Sequence, residues 1–591
     1  MNTRREGSGP AEDEAEDPLP GSDGFAASND PAPELDHADA NYAAQQILGA
    51  NPLIGVDPGE IVDGFRRLAR ILLMRPDVVL REQLALAREL ALVASGTSEV
   101  EPDPKDRRFS HEVWRKNGFY RRLMQGYLAW RTSLGNTLDR SSSAGDDLER
   151  ARFALQLVTE AFAPTNSLIG NPGAAERIVQ TRGKSLYYGL KNFLSDVANN
   201  GGMPSQVDER KFHVGKNLAI TPGAVVLRTP VFELIQYRAP TATVHARPLV
   251  IVPPQINKFY ALDLSPGRSF AEFAAAHGVQ VFAISWRNPT AAQRDWNLET
   301  YLAATLEAID CAREICGADS VNAMAACAGG FTLATLLGHL AAKRDRRVHS
   351  ATLLVTVLDT ECPTLLGLFA SRSGMAAALA RSRQHGVLQG RDMARVFSWL
   401  RPNDLVWLFV ANNWVMGNRP PAFDILYWNS DTTRLPAEFH ADLLKIYVSN
   451  PLKAANAMTV LGTPIDMRKL DLDTYVVAGI TDHITPWQAC YASRGILPAA
   501  RMQFVLSSSG HIQSIVNPPA NPKASFRTGS DLSLSADAWL GRSTVQSGSW
   551  WTHWLEWYAQ RGGGMRAAPS QLGSVAHPPG DPAPGRYVFQ R

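Results

Sequence analysis

At 591 residues with 45% hydrophobic side chains, the chain is too long for one ordinary domain and apolar enough to bury a large core, so two ordered domains are expected. Its formal net charge of +2, with no block of Lys and Arg, excludes a nucleic-acid footprint. Five cysteines, Cys311, Cys316, Cys327, Cys362 and Cys490, make an odd count without a CxxC pair, which argues against a disulfide framework and a zinc site and for a reducing cytoplasm.

The first residues contain no apolar segment of signal-peptide type, and no run of about 18 apolar residues occurs further on, so neither a signal peptide nor a transmembrane segment is expected. Residues 1–40 carry 11 Asp and Glu against two Arg, interspersed with Pro, Gly and Ser. Such a segment buries too little surface to order itself and is read as a disordered acidic tail. Residues 41–214 are predicted to form a helical domain: after Pro58, the side chains of Ile61, Val62, Phe65, Leu68, Ile71 and Leu72 recur at three- and four-residue spacing. The same period continues through HEVWRKNGFYRRLMQGYLAW and ERARFALQLVTEAF.

Beyond NNGGMPSQ the pattern changes. GAVVLRT and VFELIQYR read as a hairpin about Pro230, and then RPLVIVPP, VQVFAISW, SVNAMAAC, SATLLVTVLD, TYVVAGITD and RMQFVLSS alternate with helical segments. Parallel strands need crossovers, so this alternation predicts an α/β fold with a mostly parallel sheet over residues 215–565. An insertion rich in Trp, Phe, Asn and Pro, about 360–470, falls where such folds place their sites and is expected to cap the active site. Residues 566–591 are read as a flexible C-terminal tail.

Within this frame, Ala325-Ala-Cys327-Ala-Gly329 follows a predicted strand and precedes a predicted helix. That is the setting of a nucleophile elbow, usually G-x-S-x-G, with a thiol in place of the hydroxyl and Ala at the first small position. The elbow aims a helix N-terminus and the N–H of Ala328 at the site, which favours a thiolate and supplies half of an oxyanion hole. The second half is expected from the backbone of Gln255 or Ile256, after a stretch stiffened by Pro253 and Pro254. An isolated cysteine is more often an inert core residue, and Cys311 and Cys316 are read that way. Cys327 differs through its partners later in the chain: Asp482 stands at a strand end and His511 after the next strand, the order of nucleophile, acid and base in α/β-hydrolases. Asp359 is a rival for the acid, and His483, next to Asp482, reads as a surface residue. GKSLYY lacks phosphate-loop spacing.

The segments VPPQINKFYALDLSP, HGVQVFAISWRNP, AACAGG, GRDMARVFSWLRPNDL, FDILYWNSDTTRLP, AGITDHITPW and SSSGHIQSIVNPP together resemble the polyhydroxyalkanoate synthases, most closely their class II, medium-chain branch. The resemblance spans about 102–557. It implies an α/β-hydrolase-type catalytic domain in which Cys327 is the acylated nucleophile, His511 its base and Asp482 the acid. It further implies (R)-3-hydroxyacyl-CoA as substrate with no cofactor, a homodimer, and a cytoplasmic protein at the polymer granule alongside granule-associated proteins. The family box is G-x-C-x-G, so Ala325 is a departure. A cysteine thioesterase or hydrolase of the same fold is the alternative reading.

Overall fold

The computed structural model describes residues 65–70, 73–104, 106–141, 146–361, 372–390, 402–482 and 484–591. The acidic tail, the start of the helical region, parts of the cap, Cys362 and His483 lie outside the described residues.

The N-terminal part is helical, as its period predicts: α1 (Pro76–Ser95), α2 (Gly118–Ser141), α3 (Asp146–Ala161), α4 (Pro172–Gln180) and α5 (Lys184–Asn199). Local signals set several ends. Proline opens α1 and a left-handed Gly96 closes it, while the Asn171 side chain accepts from the N–H groups of Gly173 and Ala174 at the start of α4. Small cores form around Phe109, Trp114 and Met124 and around Leu138, Ala151 and Leu155. This region is built onto the insertion. Asn192 donates to the carbonyls of Asn413 and Asn418, both at 2.9 Å, and the Trp414 indole donates to Asp196 at 2.8 Å.

The α/β part is a ten-stranded sheet of β1 (Gly223–Arg228), β2 (Phe232–Tyr237), β3 (Leu249–Val252), β4 (Val281–Trp286), β5 (Val321–Ala326), β6 (Val348–Leu354), β7 (Asp473–Gly479), β8 (Arg501–Ser507), β9 (Ser525–Thr528) and β10 (Thr544–Ser547). Its spatial order is β1-β2-β4-β3-β5-β6-β7-β8-β9-β10. The six strands from β4 to β8 pair in parallel, and the predicted hairpin β1–β2 joins the sheet antiparallel to β4. Helices cover the sheet, among them α6 (Leu298–Cys316), α7 (Ala328–Lys343), α8 (Trp487–Ile496), α9 (His511–Ile515) and α10 (Trp550–Ala559). Every residue of β3, β4 and β5 is buried, which is why they read as mainly apolar runs without alternation, interrupted only by Ser285 and Asn322. The far edge, β9 and β10, is antiparallel and largely polar, so it left no strand signal in the sequence.

The expectation of a flexible tail over 566–591 is corrected. Met565–Ala567 pairs with Thr243–His245, and Val225 donates its N–H to Asp581 O at 2.9 Å. The N–H groups of Arg586 and Tyr587 both donate to the buried Glu233 carboxylate at 2.9 Å. Lys258 then donates to the carbonyls of Val588 and Gln590, at 2.9 and 2.5 Å. Proline and glycine give this segment the composition of a linker, but its backbone groups find partners along the sheet edge.

Candidate active site

Cys327 occupies the turn between β5 and α7 with φ 50° and ψ −122°. A non-glycine residue in that region costs about 1–3 kcal/mol, so its surroundings must hold it there. They do so through the backbone: Cys327 N–H donates to Leu354 O at 2.9 Å, and Gly330 N–H donates to Cys327 O at 2.9 Å. The close approach expected of an elbow falls at Gly329, where a Cβ would stand 2.6 Å from Val252 O and 2.7 Å from Pro253 O. Ala325, by contrast, sits fully buried within β5, in register with Val252 on one side and Leu353 on the other. The alanine that departs from the family box is therefore accommodated in the strand.

Asp482 follows β7 and His511 opens α9 just after β8. At Gly479, the end of β7, a Cβ would meet Ser509 O and Ser514 Oγ at 2.6 Å each, so glycine there lets the acid turn and the histidine loop converge. His511 Nδ1 lies 2.6 Å from Asp482 Oδ2, and both residues are buried, at 2% and 5% exposure. The other Asp482 oxygen accepts from the N–H groups of Ile484 and Thr485 at 2.9 and 3.0 Å, and the Thr485 hydroxyl donates to Oδ2 at 2.6 Å. Burial opposes the carboxylate, but His511, Thr485 and the two backbone donors outweigh it and hold Asp482 below the usual carboxylate range. For His511 burial is likewise the largest single influence and favours the neutral ring. The adjacent carboxylate and a hydrogen bond with Cys327 together overcome it, and its proton affinity is raised. An Nδ1–H bound to Asp482 leaves Nε2 for the thiol, the arrangement in which an imidazole takes a proton from a nucleophile.

The rival acid, Asp359, is engaged elsewhere: it accepts from Asn450 at 2.7 Å and from the N–H of Glu361 at 3.1 Å. Cys311 and Cys316 are core thiols, both pushed up to about 12 chiefly by burial, as their sequence setting suggests.

A small, nearly wholly apolar cavity opens onto Cys327 and His511 between Pro253, Pro254, Phe259, Leu262, Ile512 and Trp428, the last from the insertion. The insertion expected to form a cap thus contributes Trp428 to the wall of this cavity. The loop after β3 that should complete an oxyanion hole is pinned from three sides. Trp286 donates to Pro253 O at 2.9 Å, the Gln255 side chain donates to Thr332 of α7 at 3.0 Å, and Trp428 donates to Lys258 O at 2.8 Å. Ala328 is the first residue of α7, whose leading N–H groups have no intrahelical acceptor. Gln255 and Ile256 are buried in the pinned loop, although from that loop it is Pro253, Pro254 and Asn257 that line the cavity. Sequence reasoning missed Thr485, Trp428 and Asn257 as site residues. Only Thr485 had a local signal, a hydroxyl three residues after an acid, the spacing of a side-chain-capped turn.

Residues 105–274 match the family model described as poly-beta-hydroxybutyrate polymerase (PhaC) N-terminus, and residues 248–518 match the alpha/beta hydrolase fold. The chain is 48% identical over 549 residues to poly(3-hydroxyalkanoate) polymerase 1 of Ectopseudomonas oleovorans, covering 93% of this chain and 98% of that one. It is 47% identical to polymerase 2 of the same organism, over 92% of this chain and 96% of the relative. With the polymerase subunit of Cupriavidus necator it shares 39% identity, over 84% and 85% of the two chains. On the strength of this near-full-length similarity and of the matching family models, the chain belongs to the poly(3-hydroxyalkanoate) polymerase family.

Proposed function

We propose that this chain polymerises (R)-3-hydroxyacyl-CoA into a polyester with release of CoA, through a thioester on Cys327. The observation that carries the reading is the cavity shared by Cys327 and His511, with His511 Nδ1 held 2.6 Å from the Asp482 carboxylate. In the first step His511 takes the thiol proton, the sulfur attacks the acyl-CoA carbonyl, the carbon–sulfur bond to CoA breaks, and the proton passes to the departing CoA thiolate. In the second, His511 takes the proton of a 3-hydroxyl group. Its oxygen attacks the Cys327 thioester, an oxoester forms, and the proton returns to Cys327. One thioester exchanged for another keeps the acyl group activated until the hydroxyl arrives, which a serine ester would not do. Asp482 fixes the ring and stabilises the imidazolium in both steps.

Water competes with the hydroxyl, so an apolar cavity walled by Trp428 and Phe259 serves polymerisation directly. The reading calls for no cofactor. Among the described residues no helix is long and apolar enough to cross a membrane. The exposed Tyr187, Leu190, Leu194 and Val197 of α5 support a place at the apolar granule surface, where the protein works as a homodimer in the cytoplasm.

Purified protein given (R)-3-hydroxyacyl-CoA should release CoA, carry an acyl adduct on Cys327 by peptide mass spectrometry, and deposit insoluble polymer. Release of CoA with only free hydroxy acid as product would instead establish a thioesterase.

A further inference from the structure

Asn257 is 3% exposed and lines the cavity with Cys327 and His511. Its side-chain nitrogen is buried and has no hydrogen-bond partner among the described residues. Buried amide donors are almost always paired, and an orphan persists only when something arrives to pair it or when function retains it. The rest of the cavity offers little to pair with, since its lining is apolar apart from the two reacting side chains.

The amide is also held in place. The Asn257 backbone bridges to Thr432 of the insertion, Lys258 O accepts from Trp428, and the preceding Gln255 is tied through its carbonyl to Thr433 and through its side chain to Thr332. An unpaired donor fixed on a pinned loop beside a nucleophile is a preorganised electrostatic group.

We propose that the side-chain amide of Asn257 donates a hydrogen bond to the carbonyl oxygen of the acyl group under attack at Cys327, acting as a catalytic residue beside the backbone donors of the oxyanion hole. The acceptor must be an oxygen that the substrate brings next to the sulfur, and the reacting carbonyl is the one that gains charge there. This inference rests on the acyl transfer proposed above.

The test compares two reactions of Cys327 in the purified full chain. Acylation by a 3-hydroxyacyl-CoA develops an oxyanion; alkylation by iodoacetamide displaces iodide without one. In Asn257→Leu, which keeps the approximate shape and removes the donor, single-turnover acylation should fall about 10²- to 10³-fold, the usual effect of losing one such donor. Alkylation should stay within about twofold of wild type, because thiol and base are untouched. The melting temperature should hold or rise, since an unsatisfied donor is gone. Acylation at the wild-type rate, or a parallel fall in both reactions, would overturn the proposal. Should the leucine variant not fold, Asn257→Ala, which also removes the donor and adds no charge beside the thiol, decides on the same pair of rates. Wild-type protein that never acylates at Cys327 would overturn the parent reading instead, so the two failures are separable.

Discussion

Replacing Gly329 by alanine tests whether the elbow glycine sets the position of the oxyanion loop. The added Cβ would stand 2.6 Å from Val252 O, 2.7 Å from Pro253 O and 2.8 Å from Pro253 C, where ordinary contact begins at 3.4 Å. Something must move by roughly 0.8 Å, and the atoms in the way are backbone. The first turn of α7 is tied to β6 through Cys327, so the shift passes into Pro253–Asn257, the loop that faces the sulfur. Overpacking of this kind costs about 1–3 kcal/mol in stability. A displacement approaching 1 Å in positioning groups costs up to about 10²-fold in rate. Gly329→Ala should therefore slow single-turnover acylation of Cys327 by about 10- to 100-fold, while the protein remains folded by circular dichroism. Ala325→Gly is the control. It restores the family box but removes one buried methyl and adds backbone freedom in a strand, a loss of about 1 kcal/mol with acylation within a few-fold of wild type. Equal, near-wild-type rates in both variants would refute the assignment of the steric requirement to position 329.

Asp482→Asn should lower acylation by about 10²- to 10⁴-fold, because the ring loses the anion that holds its tautomer and stabilises its cation. Thr485→Val removes only one of the donors to that anion, and a smaller loss, about 5- to 30-fold, is expected in the same single-turnover acylation assay. Lys258, buried, is pushed down to about 8 from 10.5, chiefly by desolvation. Its folded pKa lies below its unfolded one, so the unfolded chain holds the proton more tightly and stability should rise with pH between about 8 and 10.5. At about 1.4 kcal/mol per pH unit the rise is about 3 kcal/mol, and Lys258→Met should abolish it in urea titrations across that range. Deleting Tyr587–Arg591 takes away both carbonyl acceptors of the same ammonium. The expected loss is about 2–3 kcal/mol, read as a lowered thermal midpoint.

The legible and the hidden parts of the fold divide along physical lines. The central strands, the elbow and the order Cys327, Asp482, His511 were readable because each is a local event: a buried apolar run, a cluster of small residues, an acid or a histidine just past a strand end. Parallel topology then does the rest, since it brings the ends of β5, β7 and β8 to one edge whatever the intervening chain does. Contacts that depend on distant segments left no such trace. The docking of α5 on the insertion runs through Asn192, Asp196 and Trp414, more than two hundred residues apart in sequence, with no periodic signal to announce it.

The C-terminal strap shows the same limit from the other side. Its proline and glycine content predicts freedom, but a carboxylate buried on β2, Glu233, needs donors, and Arg586 and Tyr587 supply backbone N–H groups in addition to the Arg228 guanidinium. The buried Lys258 likewise needs acceptors and finds them in Val588 and Gln590. A composition rule treats the strap in isolation, whereas its order is set by two charges that it does not itself contain. Lys258 immediately follows Asn257 and hydrogen-bonds through its own carbonyl to Trp428, so the strap bears on the wall of the active site. Its removal should therefore affect acylation as well as stability, and the loss of rate should persist at temperatures where the truncated chain is still fully folded.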